Sequence, residues 1–524
     1  MLGRFERIWE FPLLAPFRAS LALFLVIFAL CGLRAFTGLI GSRDFSHDAF
    51  MFFDGAWRML SGQHPHIDFY SHVGFLTYLP TAAGLWLSHG TAWGFGYGQA
   101  LVGLVLGVWT YFLCRDRLTD VPRALMCVAV VLIAVAPFAI GFSPLKVSPG
   151  MIYNRQGYAL IALLLTEAFQ APLSRRQRYE LRGGISSGVI LALLLFLKIT
   201  YFAIGLFLLV ALLFCRSQER QRWTGIAIGF VSVSFICCAY FRFRMSSMLH
   251  DLLLVGGGKH IHIVWYIFDN ILADAAIVIT VAGVAALFLR GRGAIRPAKT
   301  IFLASVVIAI AGTALILSNY EQDGFPLTAF AAILFLNTVV LQAPVVHAGE
   351  DLFRVSVLLL GSVLVFNALL SGMLGIGFAT AQRILLAHKL KRFDMPRTSG
   401  FTTGISDDWY VNLVNDGLTL VKKFRRPGDT IMSLDFTNPY SYGLGMKPAH
   451  GGTTVFQFGT TFSDESRPEP EFLFGAADLV AVPLKASDPT LDDNVPRIYG
   501  PYLKSHFHVV GETEYWELYR RNGE

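Results

Sequence analysis

Apolar runs separated by short polar or basic breaks fill the chain as far as residue 378. They cover residues 19–40, 74–87, 93–114, 121–142, 156–171, 184–215, 224–241, 274–289, 301–318, 326–342 and 355–378. Most approach the roughly 20 residues a helix needs to cross a bilayer, so the pattern predicts a polytopic α-helical membrane protein. Two runs are ambiguous. Residues 74–87 make only about four turns, which suits a re-entrant or interfacial helix. Residues 184–215 are too long for one crossing and carry Lys198 and Thr200 at their middle, which suits a hairpin of two short helices meeting near the outer face.

The breaks supply the orientation. Arg4, Arg7 and Arg18 precede a first run that is too long for a signal peptide and has no small-residue cleavage site, so it reads as a retained anchor with a cytoplasmic N-terminus. With the two ambiguous runs assigned as above, four basic clusters fall on the cytoplasmic side: Arg115/Arg117/Arg123, Arg175/Arg176/Arg178/Arg182, Arg216/Arg220/Arg222 and Arg290/Arg292/Arg296/Lys299. The positive-inside rule is then obeyed four times in succession. About eleven spans result, and everything after Phe378 lies outside.

From Ala379 the pattern changes. Residues 407–424 place Trp409, Leu413, Val414, Leu418 and Val421 at helical spacing, while 429–436, 477–484 and 506–520 read as strands, the last a hairpin turning at Gly511-Glu512-Thr513. The chain thus divides into a membrane domain, 1–378, with a first external loop at 41–91, and an external (periplasmic) α/β domain, 379–524. No transporter-like internal repeat is visible.

Composition narrows the class further. With 54% hydrophobic and only 15% charged residues, and a mean hydropathy of +0.54, the chain is neither disordered, collagen-like nor a disulfide scaffold. The net charge of +7 is spread over loops as orientation charge and implies no nucleic-acid partner. All six cysteines lie in or at the ends of apolar runs, so no loop is stapled.

The richest polar stretch is the first external loop, SRDFSHDAFMFFDGAWRMLSGQHPHIDFYSH at 42–72. Within it, 49–60 places Phe52, Phe53, Ala56, Trp57 and Leu60 on one face, as in an amphipathic helix lying on a membrane surface. For Asp44 and Asp54 a bland role, as solvated loop charge or helix cap, weighs as much as a functional one. Asp48 and Asp68 sit among aromatic residues, where burial would raise the carboxyl pKa and equip it for proton abstraction. His47, His64, His66 and His72 fit no closed zinc pattern, so a metal is the lesser reading.

External cations able to face an anion are Arg34, Lys146, Arg155, Lys198, Arg242, Arg244 and Lys259. Most such residues near span ends merely snorkel. Lys198 differs because it stands inside an apolar run, where an ionisable group is a functional hypothesis by default. Arg155 in MIYNRQGY and Lys259-His260 with His262 after Gly256-Gly257-Gly258 come next, and Glu321 and Asp323 could reach the same face.

The segment HDAFMFFDGAWRMLSGQHPHIDFYSHVGFLTYLP resembles the first external loop of GT-C superfamily glycosyltransferases, in particular bacterial relatives of protein mannosyltransferases and aminoarabinose transferases. The matching positions are Asp48, the helix and turn Ala56-Trp57-Arg58-Met59-Leu60-Ser61-Gly62, then Pro65, Asp68-Phe69-Tyr70 and His72. Ala49 replaces a common second acid, and Val73-Gly74 replaces the usual Pro-Pro or Gly-Pro step.

The resemblance implies a multi-pass enzyme of a bacterial inner membrane that takes a sugar from a polyprenyl-phosphate donor and passes it to a periplasmic glycan, lipid or protein acceptor. It implies Asp48 as general base, Asp68 and His72 positioning base and acceptor, and inversion at the anomeric carbon. Lys198 and Arg155 would hold phosphate, with His47, Tyr70, Lys259 and His260 as further substrate-binding candidates. No cofactor or divalent metal is expected. The alternatives are a transporter or flippase for a lipid-linked saccharide, which would gather its ionisable groups at the bilayer midplane, and an inactive assembly partner.

Overall fold

A computed structural model describes residues 16–41, 46–174, 177–258, 282–283, 286, 295–318, 325–342, 351–404 and 408–523. Lys259, His260, His262, Asp44, Glu321, Asp323 and most of the predicted span at 274–289 lie outside the described residues.

In chain order the helical part comprises α1 (Pro16–Thr37), the short strand β1 (Leu39–Gly41), α2 (Asp48–Leu60), a 3₁₀ turn at Phe75–Thr77, α3 (Leu79–Leu87), α4 (Trp93–Arg115), α5 (Asp120–Val135) and α6 (Ile152–Phe169). It continues with α7 (Gln177–Leu197), α8 (Ile199–Ala211), α9 (Arg220–Tyr240), α10 (Met245–Gly258), α11 (Ile295–Ser318), α12 (Phe325–Gln342) and α13 (Asp351–Leu385). Among the described residues six helices are long and apolar enough to cross a membrane: 19–37 within α1, then α4, α7, α9, α11 and 361–385 within α13. The architecture is a polytopic α-helical membrane fold. At nine residues, α3 reaches about 14 Å, too short to cross.

The run at 184–215 forms the expected hairpin. Lys198 adopts extended angles between α7 and α8, and Arg216, just past α8, pairs with Glu180 in the first turn of α7. The chain therefore comes back to the side it left. The contact between α7 and α9 is made by facing glycines. A Cβ at Gly184 or Gly188 of α7 would stand 2.0 or 2.1 Å from the Arg222 or Ile226 carbonyl, and one at Gly225 or Gly229 of α9 would stand 2.4 or 2.3 Å from α7 carbonyls. Small residues at four-residue spacing on both helices let the backbones touch, as is common in membrane helix pairs.

After α13, which runs on past Phe378, come β2 (Phe401–Thr403), α14 (Asp408–Phe424), β3 (Ile431–Ser433), α15 (Tyr440–Leu444), α16 (Pro470–Phe474), β4 (Leu479–Pro483), α17 (Leu491–His506), β5 (Phe507–Glu512) and β6 (Trp516–Arg521). The sheet order is β3-β4-β6-β5, with β3 parallel to β4 and the other two pairs antiparallel. The predicted helix at 407–424 and the three strand regions are present, each strand shorter than its sequence run. α17 was not expected.

This region closes over the first loop. β2 pairs in parallel with β1, and Arg383 donates to the carbonyls of Thr37, Leu39 and Gly400. The amphipathic segment expected to lie on a membrane surface is instead sandwiched. Phe52 of α2 meets Phe95 of the bundle, whereas Phe53 stacks on Tyr442 at 4.6 Å and Phe50 meets Phe393 and Phe401. Aromatic residues on both sides of α2 give it two apolar partners, so residues 49–56 are all buried.

Candidate active site

Asp48 is the first residue of α2, and its side chain is 14% exposed. Burial pushes its carboxyl up to about 7, because removal from water penalises the charged form. Its Oδ1 lies 3.4 Å from His47 Nε2. His47 is in turn wedged against Phe436 (4.4 Å between ring centres) and Tyr410 of the C-terminal region.

On the bundle side, Asp48 lies within electrostatic reach of Tyr153, at the start of α6. The same Tyr153 ring carries the Lys198 ammonium over it, 4.9 Å from the ring centre. Lys198 Nζ also donates to Asn154 Oδ1 at 3.3 Å. An acid and a cation thus flank one tyrosine. The helix break between α7 and α8 makes this possible, because it turns Lys198 toward the head of α6 rather than leaving it in a continuous span.

His72 completes the cation side. Burial, with the neighbouring Lys198 charge and His66 adding to it, holds its imidazole down at about 3, so it is neutral at any physiological pH. His66 Nδ1 meets Asp251 Oδ2 at 2.8 Å, and the same oxygen accepts the Ser71 amide at 3.1 Å, which fixes the loop that presents His72. His66 itself adopts a left-handed φ of 67°, uncommon for a side chain of its size. Among the described residues, His72 Nδ1, Asn154 Nδ2, Thr200 Oγ1 and His66 Nε2 are buried without a hydrogen-bond partner. Buried polar atoms left this way are costly and call for a polar ligand or water.

The remaining sequence candidates are placed elsewhere. Asp68 holds its own turn: its Oδ2 accepts the His64 amide at 2.7 Å, and its Oδ1 faces His450 at 3.7 Å. Tyr70 donates to the Thr461 carbonyl at 2.7 Å, joining the loop to the C-terminal region. Arg155 turns to the carbonyls of Phe138 and Ile133 and lies over the Phe138 ring. Asp54 is neither solvated nor a cap but pairs with Arg58 at 2.8 Å in full burial. Arg58 also donates to the carbonyls of Ala449 and Gly451.

Sequence reasoning singled out Arg155 from MIYNRQGY and passed over Tyr153 and Asn154. The available signal was that a helix start presents successive residues to different faces, so only some of the three can look into the site.

Compared with solved structures, the chain superposes on ArnT from Cupriavidus metallidurans bound to undecaprenyl phosphate with a TM-score of 0.50 at 11% identity, covering 96% of this chain and 98% of that one. The chain shares that protein's fold. The apo structure of the same ArnT gives a TM-score of 0.46 at 12% identity over 95% and 98% of the two chains. No family model matches the sequence, and no curated protein matches it. At 11% identity the likeness to the undecaprenyl-phosphate-bound structure is one of fold, and the residue roles rest on the geometry above.

Proposed function

We propose that the chain is a membrane glycosyltransferase that moves a sugar from a polyprenyl-phosphate donor to an acceptor of the cell envelope, with inversion. The observation that carries the reading is that a carboxyl held near 7 and the Lys198 ammonium both act on one side chain, Tyr153. Near neutral pH, Asp48 is poised between its acid and base forms, as a general base requires. It accepts the proton of an acceptor hydroxyl. That oxygen bonds to the anomeric carbon as the bond from that carbon to the phosphate oxygen breaks, and the electron pair leaves with the lipid phosphate.

The charge growing on phosphate falls to Lys198, with Asn154 Nδ2 and neutral His72 as hydrogen-bonding groups beside it. This chemistry asks for no divalent metal, since the ammonium supplies the positive charge. The resemblance of the first loop, and a solved neighbour described as bound to undecaprenyl phosphate, support the donor class. A transporter would gather its ionisable groups at the bilayer midplane, whereas Asp48, His47 and His72 belong to the first external loop. The site would face the periplasm of a bacterial inner membrane.

The test is a titration of sugar-free polyprenyl phosphate into detergent-solubilised protein in excess chelator. Lys198→Met keeps the stem and removes the charge, and should weaken binding on the order of tenfold or more. Equal affinity in the two proteins, or binding that one metal ion alone restores, contradicts this placement of the donor.

A further inference from the structure

A second polar site lies at the other end of the bundle, roughly 30 Å from Lys198 by the length of α7. Three buried arginines meet two buried carboxylates there, but unequally. Arg222 grips both oxygens of Glu167, at 2.9 and 2.8 Å, and Arg216 pairs with Glu167 and Glu180. Arg117, equally buried, comes no closer than 3.8 Å to Glu167. Its guanidinium also makes a 3.4 Å bond to the Tyr179 carbonyl, and its Nε is buried with no partner among the described residues. A buried cation with so little compensation is costly unless an anion joins it.

Arg117 opens onto a cavity of about 520 Å³ between α4 and α7, to which Arg115, Arg178 and Arg182 add three more guanidinium groups against, among the described residues, a single carboxylate, Asp116. Gly183 makes the room: a Cβ there would stand 2.0 Å from Arg117 Nη2. Part of the lining is apolar: Trp109, tied to Ser186 by a 2.9 Å bond, Leu113, and Phe112, 57% exposed on a membrane-crossing helix.

We propose that this cavity binds the phosphate headgroup of an anionic phospholipid from the leaflet on that side, with its acyl chains running down α4 along Phe112. A basic pocket with an apolar, lipid-facing flank fits such a ligand better than a free anion, which has no use for the apolar lining. Basic pockets between membrane helices are known to take such headgroups.

Delipidated protein in neutral detergent, titrated separately with phosphatidylglycerol, phosphatidylcholine and inorganic phosphate under native mass spectrometry, tests this. Phosphatidylglycerol should bind at least about tenfold more tightly than phosphatidylcholine, and inorganic phosphate should not displace it. The exposed-residue variant Arg115→Gln/Arg178→Gln/Arg182→Gln should lose that preference while its lipid-free melting temperature stays unchanged. Lys198→Met should keep the preference, which separates this site from the proposed donor site. If the triple variant melts early, Arg182→Gln alone should show a partial loss. Equal binding of the two lipids, full retention by the variants, displacement by inorganic phosphate, or loss of the preference in Lys198→Met each overturns the proposal.

Discussion

Asp48 and Lys198 owe their properties to what surrounds them. Asp48 begins a helix whose next residues, Ala49 and Phe50, are buried, and the desolvation that lifts its carboxyl to about 7 comes from that packing. Activity should therefore rise as pH increases through about 7, because the deprotonated form is the base. A pH–rate profile of the purified protein checks this, and a limb much nearer the usual carboxylate value of 3.8 would point to a solvated acid. The stability effect has the opposite sign. Between 3.8 and about 7 the folded state holds a proton that the unfolded state has released, so this group's contribution to stability falls as pH rises. The carboxyl's setting was legible in HDAFMFF, where aromatic residues foretell burial. The orientation of Arg155 was not, because it depends on carbonyls at Ile133 and Phe138 that only the folded turn after α5 brings near.

At the scale of elements, the sequence disclosed the α7–α8 hairpin because a lysine and a threonine interrupt an apolar run too long for one span. The surface of α2 was misread because its second apolar face has no partner within its own segment; the partners, Phe393, Phe401 and Tyr442, lie more than 300 residues later. α17 escaped notice because Pro496 and Pro501 lie inside it, and proline normally argues against a helix interior. The α7–α9 contact depends on the absence of side chains at its four glycines. Gly188→Leu must push apart backbones that leave only 2.1 Å for a Cβ, so it should lower the melting temperature in detergent by a large margin, with overpacking costing about 1–3 kcal/mol or more. An unchanged melting curve would mean that the helices separate freely there.

Across the whole molecule, the C-terminal region acts as a cover that sets the site. Arg58 donates to Ala449 and Gly451, Trp57 to the Met446 carbonyl, and Tyr78 shares a hydrogen bond with Thr454. The composition change at Ala379 revealed that such a region exists, but not that it clasps the first loop, since the Arg58 and Trp57 bonds end on main-chain carbonyls that sequence does not distinguish. Acceptor choice is expected to reside in this cover, which adjoins Asp48 through His47. The basic loops predict the external side of the membrane for it. A reporter active only outside the cytoplasm, fused after Glu524, should be active, and activity from a cytoplasm-only reporter would invert the orientation.

The central claim, a glycosyl transfer driven by the Asp48 carboxylate, meets its most direct test in the cell envelope. Mass spectrometry of envelope glycans from a deletion strain should show a sugar missing. Re-expression of the wild-type chain should return it, and Asp48→Asn, which keeps the shape but cannot accept a proton, should not, given the roughly 10²–10⁴-fold typical of such a base. Full restoration by the Asn variant at equal expression would contradict the account.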